Sequence, residues 1–209
     1  MSTLLELHPK NPEVRLIRRA VEAIRHGGVV VYPTDSCYAL GCALGDKDAM
    51  ERIARIRQID KHHHFTLVCR DLSEIAHYAR VENWQYRLLK AVTPGPYTFI
   101  LEATKEVPRR LQNPKRRTIG IRVPDHAVPQ LLLAELGEPL MTSTLLLPGD
   151  EYPMTDAAEI HARLEHQVSL VLDGGNCGLE PTTVVDLAGK APAVLRVGKG
   201  DPARLGATA

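Results

Sequence analysis

Two hydroxyls, a carboxylate, a thiol and a phenol crowd Thr34-Asp35-Ser36-Cys37-Tyr38, directly behind the run Val29-Val30-Val31-Tyr32-Pro33. The β-branched run has the composition of a buried strand. Pro33 cannot donate to a sheet ladder, so the strand ends there. Polar groups just past a buried strand stand where open α/β sheets bind ligands. Five more short motifs put a hydroxyl, an arginine or a tight turn at a strand terminus. They are Pro94-Gly95-Pro96-Tyr97-Thr98, Gly120-Ile121-Arg122-Val123-Pro124, Thr142-Ser143-Thr144, Pro181-Thr182-Thr183 and Arg196-Val197-Gly198. Arg122 and Arg196 lie within or beside apolar runs. A buried guanidinium is costly unless an anion pairs with it. Either an internal Asp or Glu serves each arginine, or the two line a cleft for a carboxylate and a phosphate, both of which fit the guanidinium fork.

Other chemistries lack their signatures. There is no Gly-x-x-x-x-Gly-Lys-Ser/Thr phosphate loop, no Gly-x-Gly-x-x-Gly after the first strand and no Gly-x-Ser-x-Gly elbow. Cys37, Cys42, Cys69 and Cys177 form no Cys-x-x-Cys pair and no zinc set. In His62-His63-His64, neighbours on an extended chain point to opposite sides, so an exposed loop or lid is favoured over a metal site. No protein-ligated metal is expected. Met1 to His8 lacks a basic region followed by an apolar one, and no apolar run approaches the ~20 residues of a membrane span. A cytoplasmic location with reduced thiols is therefore expected.

Charge is uneven. The chain is +1 overall, yet Lys105 to Arg117 carries six basic residues (Lys105, Arg109, Arg110, Lys115, Arg116, Arg117) against Glu106 alone. Such a ridge is either a solvated surface segment or the docking face for a polyanion.

These groups need a frame. At 209 residues a single domain over 1–209 is the default, with an ordered core over about 10–200 and a loose tail from Ala203. Asn11-Pro12 reads as N-cap and N1 of a helix whose Val14, Ile17, Val21 and Ile24 share a face, ended by Gly27-Gly28. Asp46 caps a second helix with Ala49, Met50, Ile53 and Ile56 inside and Arg57 at the edge of that face. Asp71-x-x-Glu74 has the form of a capping box. Helices are expected over 83–92, 128–136 (stopped by Gly137) and 157–166. Strands are expected over 65–69, 97–101, 118–123, 140–147, 168–172, 183–187 and 193–195. Interleaved helices and strands followed mostly by strands imply one α/β domain with a mixed sheet.

Pro33-Thr34-Asp35-Ser36-x-Tyr38-x-Leu40-Gly41 resembles the opening signature of the YrdC/YciO-like family, whose best-known members are threonylcarbamoyl-AMP synthases. The other five motifs follow in the family's order. Arg55-Ile56-Arg57-Gln58, Phe65-Thr66-Leu67, Lys105-Glu106-Val107-Pro108 and Leu147-Pro148-Gly149 look closest to its YciO branch. The resemblance implies a twisted mixed sheet with flanking helices around a concave basic surface, and double-stranded RNA or tRNA as partner. It also implies chemistry on L-threonine, bicarbonate and ATP, giving threonylcarbamoyl-AMP and pyrophosphate for tRNA adenosine modification, with Mg2+ on the nucleotide. By the same resemblance Thr34, Tyr38 and Arg122 would face threonine, and Arg57, Thr144, Thr182 and Arg196 would face ATP. The basic ridge would face RNA. Two motifs depart from the synthases. Their Lys-x-Arg falls on Arg57 and Ile59, and their Ser-x-Asn on Thr144 and Leu146. Removing a charge-assisted hydrogen bond costs about 1.5–3 kcal/mol, so nucleotide use is expected to be weakened or rearranged. The alternative is an RNA-binding module with an inactive cleft.

Overall fold

The computed structural model describes residues 2–59 and 65–206. His62-His63-His64 lies outside the described residues. Ten strands appear: β1 (Thr3–Glu6), β2 (Val30–Tyr32), β3 (Ala39–Ala43), β4 (Thr66–Val68), β5 (Tyr97–Glu102), β6 (Thr118–Arg122), β7 (Leu140–Thr144), β8 (Leu170–Asp173), β9 (Thr183–Asp186) and β10 (Ala193–Arg196). Six α-helices accompany them: α1 (Val14–Arg25), α2 (Lys47–Arg57), α3 (Leu72–Tyr78), α4 (Asn83–Val92), α5 (Ala127–Leu136) and α6 (Ala157–Leu164). The strands form one mixed sheet in the order β1-β8-β2-β3-β7-β4-β6-β5-β9-β10. The chain is thus the expected α/β domain with a mixed sheet and flanking helices.

Side-chain alternation sorts this sheet into two faces. Val31, Leu40, Cys42, Leu67, Phe99, Leu101, Ile119, Ile121, Met141 and Val185 belong to one buried cluster with residues of α2, α3, α4 and α6. That face is apolar over most of the sheet, with Ser143 and Thr183 as buried polar exceptions. On the opposite face Leu5, Val30, Tyr32, Ala39, Leu170 and Leu172 pack with Ile17, Ala20, Val21 and Ile24 of α1 and Val128, Leu132, Leu133 and Leu136 of α5. Val68 and Leu140 end that cluster. Beyond them, the same face carries Thr142, Thr144, Thr66, Thr118, Gly120, Thr98, Ile100 and Val184, and a cavity opens over it.

Local chemistry accounts for most element ends. Asp46 and Asp71 accept from Ala49 N and Glu74 N at 3.0 Å, each satisfying an orphan donor of a first turn. The capping box is half of what its sequence suggests, since the Glu74 carboxylate takes Arg70 N rather than Asp71 N. Gly137 ends α5 at φ +80, a conformation that favours glycine.

Several expectations shift. Glu13, not Asn11, stands at the N-cap position of α1, its side chain making no cap hydrogen bond, and Val14 is exposed. Strands β1 and β3 lie in segments not expected to be strands. In β3, pairing with β2 on one side and β7 on the other makes the segment a central strand. Of the tail, residues 203–206 lie among the described residues and 207–209 outside them. Residues Pro202–Leu205 form a 3-10 turn, Leu205 is buried, and the Arg204 guanidinium donates to Ala91 O at 3.0 Å.

Candidate functional site

The cavity over the open sheet face measures about 890 Å³. In-register pairing puts Thr142, Thr66, Gly120 and Ile100 on one rung of its floor. Gly120 keeps the middle of that rung low: a Cβ there would lie 3.2 Å from Thr66 Oγ1. The walls are loops from strand ends: Ser36-Cys37-Tyr38 after β2, Glu151-Tyr152-Pro153 after β7, and Leu179 to Thr182 before β9.

Arg122 ends β6 on this face and is 7% exposed. Its Nη2 donates to the Asp35 carboxylate and its Nη1 to Ser36 Oγ at 3.2 Å. A consistent proton order follows. Thr34 Oγ1 donates to Cys37 O at 2.6 Å, so Ser36 Oγ donates to Thr34 Oγ1 at 3.1 Å while accepting from Arg122. The hydroxyls of this loop therefore fasten the arginine. Thr34 lies behind Ser36 and does not line the cavity, so its expected contact with a ligand is indirect. Tyr38 lines the cavity, but its hydroxyl donates to Gly175 O at 2.7 Å, and burial pushes its phenol well above the usual range. Arg122 Nε is buried with no hydrogen-bond partner among the described residues.

Arg196 reaches the same cavity by a different device. Register slips between Val194↔Val185 and Arg196↔Val184, so Leu195 is one residue too many in β10. This bulge re-aims the strand and turns Arg196 to the side of Val184, toward the cleft. The guanidinium donates to Thr182 O at 2.9 Å, and Thr182 Oγ1 lies 2.8 Å from Thr98 Oγ1. It makes no ion pair among the described residues. Burial holds both Arg196 and Arg57 below the usual guanidinium range. Arg57, at the end of α2, donates to Ser143 Oγ and, at 3.3 Å, to Leu146 O. Thr144 and Leu146 line the cavity beside it. Of the seven residues expected at the small-molecule site, six therefore share this cavity. The two readings of the arginines divide: Arg122 has its internal acid, Asp35, and Arg196 does not.

Cys37 also lines the cleft. Burial pushes its thiol up to about 11 although Arg122, Lys199 and Arg196 pull the other way, which leaves it a poor nucleophile. All four cysteines are free.

The basic ridge connects β5 to β6 and forms one wall, with Leu111, Asn113 and Arg116 lining the cavity. Its charge is partly spent. Arg116 forms a two-pronged pair with Asp186 at 2.6 and 3.2 Å, and Arg110 donates to Gly45 O. Lys105, Arg109, Lys115 and Arg117 are exposed and make no ion pair among the described residues.

Sequence reasoning singles out the motifs that hold Asp35, Ser36 and Thr98 without giving these residues a role, and it does not place Thr66 at the site. Thr98 and Thr66 are legible in principle, since strict alternation about Phe99 and Leu67 sends them to the face opposite the core. The bulge at Leu195 has no sequence signal.

The family model Sua5/YciO/YrdC, described as telomere recombination, matches residues 22–198. The protein YciO of Escherichia coli is 57% identical over 201 residues, covering 96% of this chain and 98% of the relative. Its crystal structure superposes with a TM-score of 0.94 over 98% of this chain and 100% of that one, at 56% identity. A threonylcarbamoyl-AMP synthase of Chromobacterium violaceum is 31% identical over 86% of this chain and 92% of its own length. The fold also matches a crystal structure of P. abyssi Sua5 complexed with L-threonine, with a TM-score of 0.86 and 24% identity over 94% of this chain and 58% of that chain.

Proposed function

The chain belongs to the Sua5/YciO/YrdC family, and on that premise we propose that its cleft binds an amino acid beside a nucleoside triphosphate and joins them through a carbamate. The observation that carries the proposal is one cavity holding two differently furnished arginines. Arg122 is paired with Asp35 and keeps a buried Nε–H with no hydrogen-bond partner among the described residues. Arg196 is exposed, with hydroxyl and carbonyl partners alone among the described residues. In this reading the L-threonine carboxylate lies at Arg122, and the phosphates of ATP lie between Arg196, Thr182, Thr144 and Arg57. Threonine and bicarbonate condense to a carbamate with loss of water. A carbamate oxygen then attacks the α-phosphorus, the bond to the β-phosphate breaks, and pyrophosphate leaves. The protein's part is to hold the reactants in line and to offset the developing negative charge. Mg2+ would arrive with the triphosphate.

The test is pyrophosphate release from ATP. Release that requires both L-threonine and bicarbonate supports the reading. Background release together with no nucleotide binding at millimolar concentration overturns it. Leu146, which puts an apolar side chain where the synthases carry an amide, argues for turnover slower than theirs.

A second surface supports a partner. Lys105, Arg109, Lys115 and Arg117 stand exposed along the cleft wall, a ridge suited to the phosphates of an RNA duplex. Few exposed aromatics accompany it, so shape and phosphate recognition would dominate over base stacking. RNA affinity should fall steeply with salt, and replacing these four residues with Ala should cut that slope by about one unit for each phosphate no longer neutralised. An unchanged slope excludes the ridge as the RNA-binding surface.

A further inference from the structure

We infer that Asp35 decides which anion the Arg122 pole accepts: a singly charged carboxylate in preference to a doubly charged phosphate or phosphonate. The inference rests on the amino-acid site proposed above and deepens it. Asp35 does not line the cavity. One carboxylate oxygen takes Arg122 Nη2, the other accepts Asp125 N at 3.0 Å, and its backbone carbonyl takes Lys199 Nζ. Held from three elements, it cannot swing away when a ligand arrives. Its side chain is 10% exposed and that of Arg122 is 8% exposed, so the two charges offset each other where water screens poorly.

A ligand reaching Arg122 therefore meets a neutral pair rather than a bare cation, with one N–H of Nη1 given to Ser36 and one of Nη2 to Asp35. A singly charged group can accept from the second N–H of Nη1 or Nη2 without adding uncompensated charge. A second negative charge is repelled by the Asp35 carboxylate, and the further cation at this pole, Lys199, is exposed and held at Asp35 O. At Arg196 no carboxylate is paired with the guanidinium among the described residues, so higher ligand charge belongs at that pole. Asp35 is thus a positioning residue: it acts through Arg122 and gives the ligand one orientation along the cleft.

The test compares L-threonine with its phosphonate analogue, (1-amino-2-hydroxypropyl)phosphonate, by calorimetry at pH 8, where the phosphonate is a dianion. The wild-type protein should prefer the carboxylate by about tenfold or more, and Asp35→Asn, which keeps an oxygen for Arg122 but removes the charge, should shrink that preference to about threefold or less. Thr34→Val loosens the same loop without altering any charge and should keep the full preference, which separates charge from general loosening. A folded Asp35→Asn protein that binds L-threonine with undiminished preference overturns the assignment of Asp35 and leaves the amino-acid site standing. A wild-type protein that binds neither compound removes both. If Asp35→Asn does not fold, the wild type still decides: between 0.05 and 0.5 M KCl, L-threonine affinity should change less than about twofold while pyrophosphate affinity falls about tenfold or more. Equal salt dependence of the two overturns the inference.

Discussion

One face of one sheet is used in two ways. From β1 to β3 it carries Leu5, Val30, Tyr32, Leu170 and Leu172 and is sealed by α1 and α5. From β7 to β9 it carries threonines, Gly120 and Arg122 and stays open. The backbone is continuous, and the other face is mostly apolar. Side-chain type alone therefore decides where helices cover the sheet and where a ligand can reach it. Tyr32 and Thr142 sit at the seam. Thr142 Oγ1 donates to Leu40 O at 2.9 Å, so the Tyr32 hydroxyl donates to Thr142 Oγ1, also at 2.9 Å. Burial pushes that phenol up to about 12, and the pair satisfies the last polar group before the floor opens.

If the halves are divided as described, substitutions should separate stability from binding. The largest effect should come from the sealed half. Leu132→Ala leaves a cavity between α5 and the sheet and should cost about 2–5 kcal/mol in chemical denaturation, with nucleotide affinity of the folded fraction unchanged. Arg196→Met should do the reverse, weakening nucleotide binding about ten- to hundredfold while the denaturation midpoint hardly moves. A large stability loss in Arg196→Met would break the comparison. At the seam, Thr142→Val strands the Tyr32 hydroxyl and should cost about 1–2 kcal/mol with a smaller change in affinity.

The smallest effect concerns pH. His126 caps α5, with Nδ1 accepting from Val128 N at 3.1 Å, which requires that nitrogen unprotonated. Burial holds its pKa below the usual 6.5. The folded state thus binds this proton more weakly than the unfolded state. Its contribution is complete above pH 6.5 and declines as pH falls from there through the lowered folded value. His126→Asn, which keeps a cap, should flatten the stability profile in that window, and an unchanged profile would show that the loss arises elsewhere.

Much of this division is readable in the sequence. Helix α4 and the end of α5 fall where capping and glycine chemistry place them. The β-branched run of β2 and the apolar run of β7 are buried, as their composition requires. The strand-end motifs meet because strand ends on one side of a sheet are neighbours, whatever their distance along the chain. Other features are long-range and leave no local trace. β1 is a strand because β8 pairs with it in parallel. The partner of Arg122 is 87 residues away in sequence. Arg196 faces the cleft through a register slip. The charge of the basic ridge overstates its free cations, because Asp186 and Gly45 O, which engage two of them, come from distant segments.

The central claim is that the open half forms one composite site. It is tested most directly by calorimetry of a non-hydrolysable ATP analogue in the absence and presence of saturating L-threonine and bicarbonate. Coupling between adjacent ligands is reciprocal and of the order of five- to a hundredfold. The analogue should bind about fivefold tighter or better when the amino acid is present, and Arg122→Met should abolish this gain. Nucleotide binding that is indifferent to L-threonine, at any concentration that fills the amino-acid site, would contradict the claim.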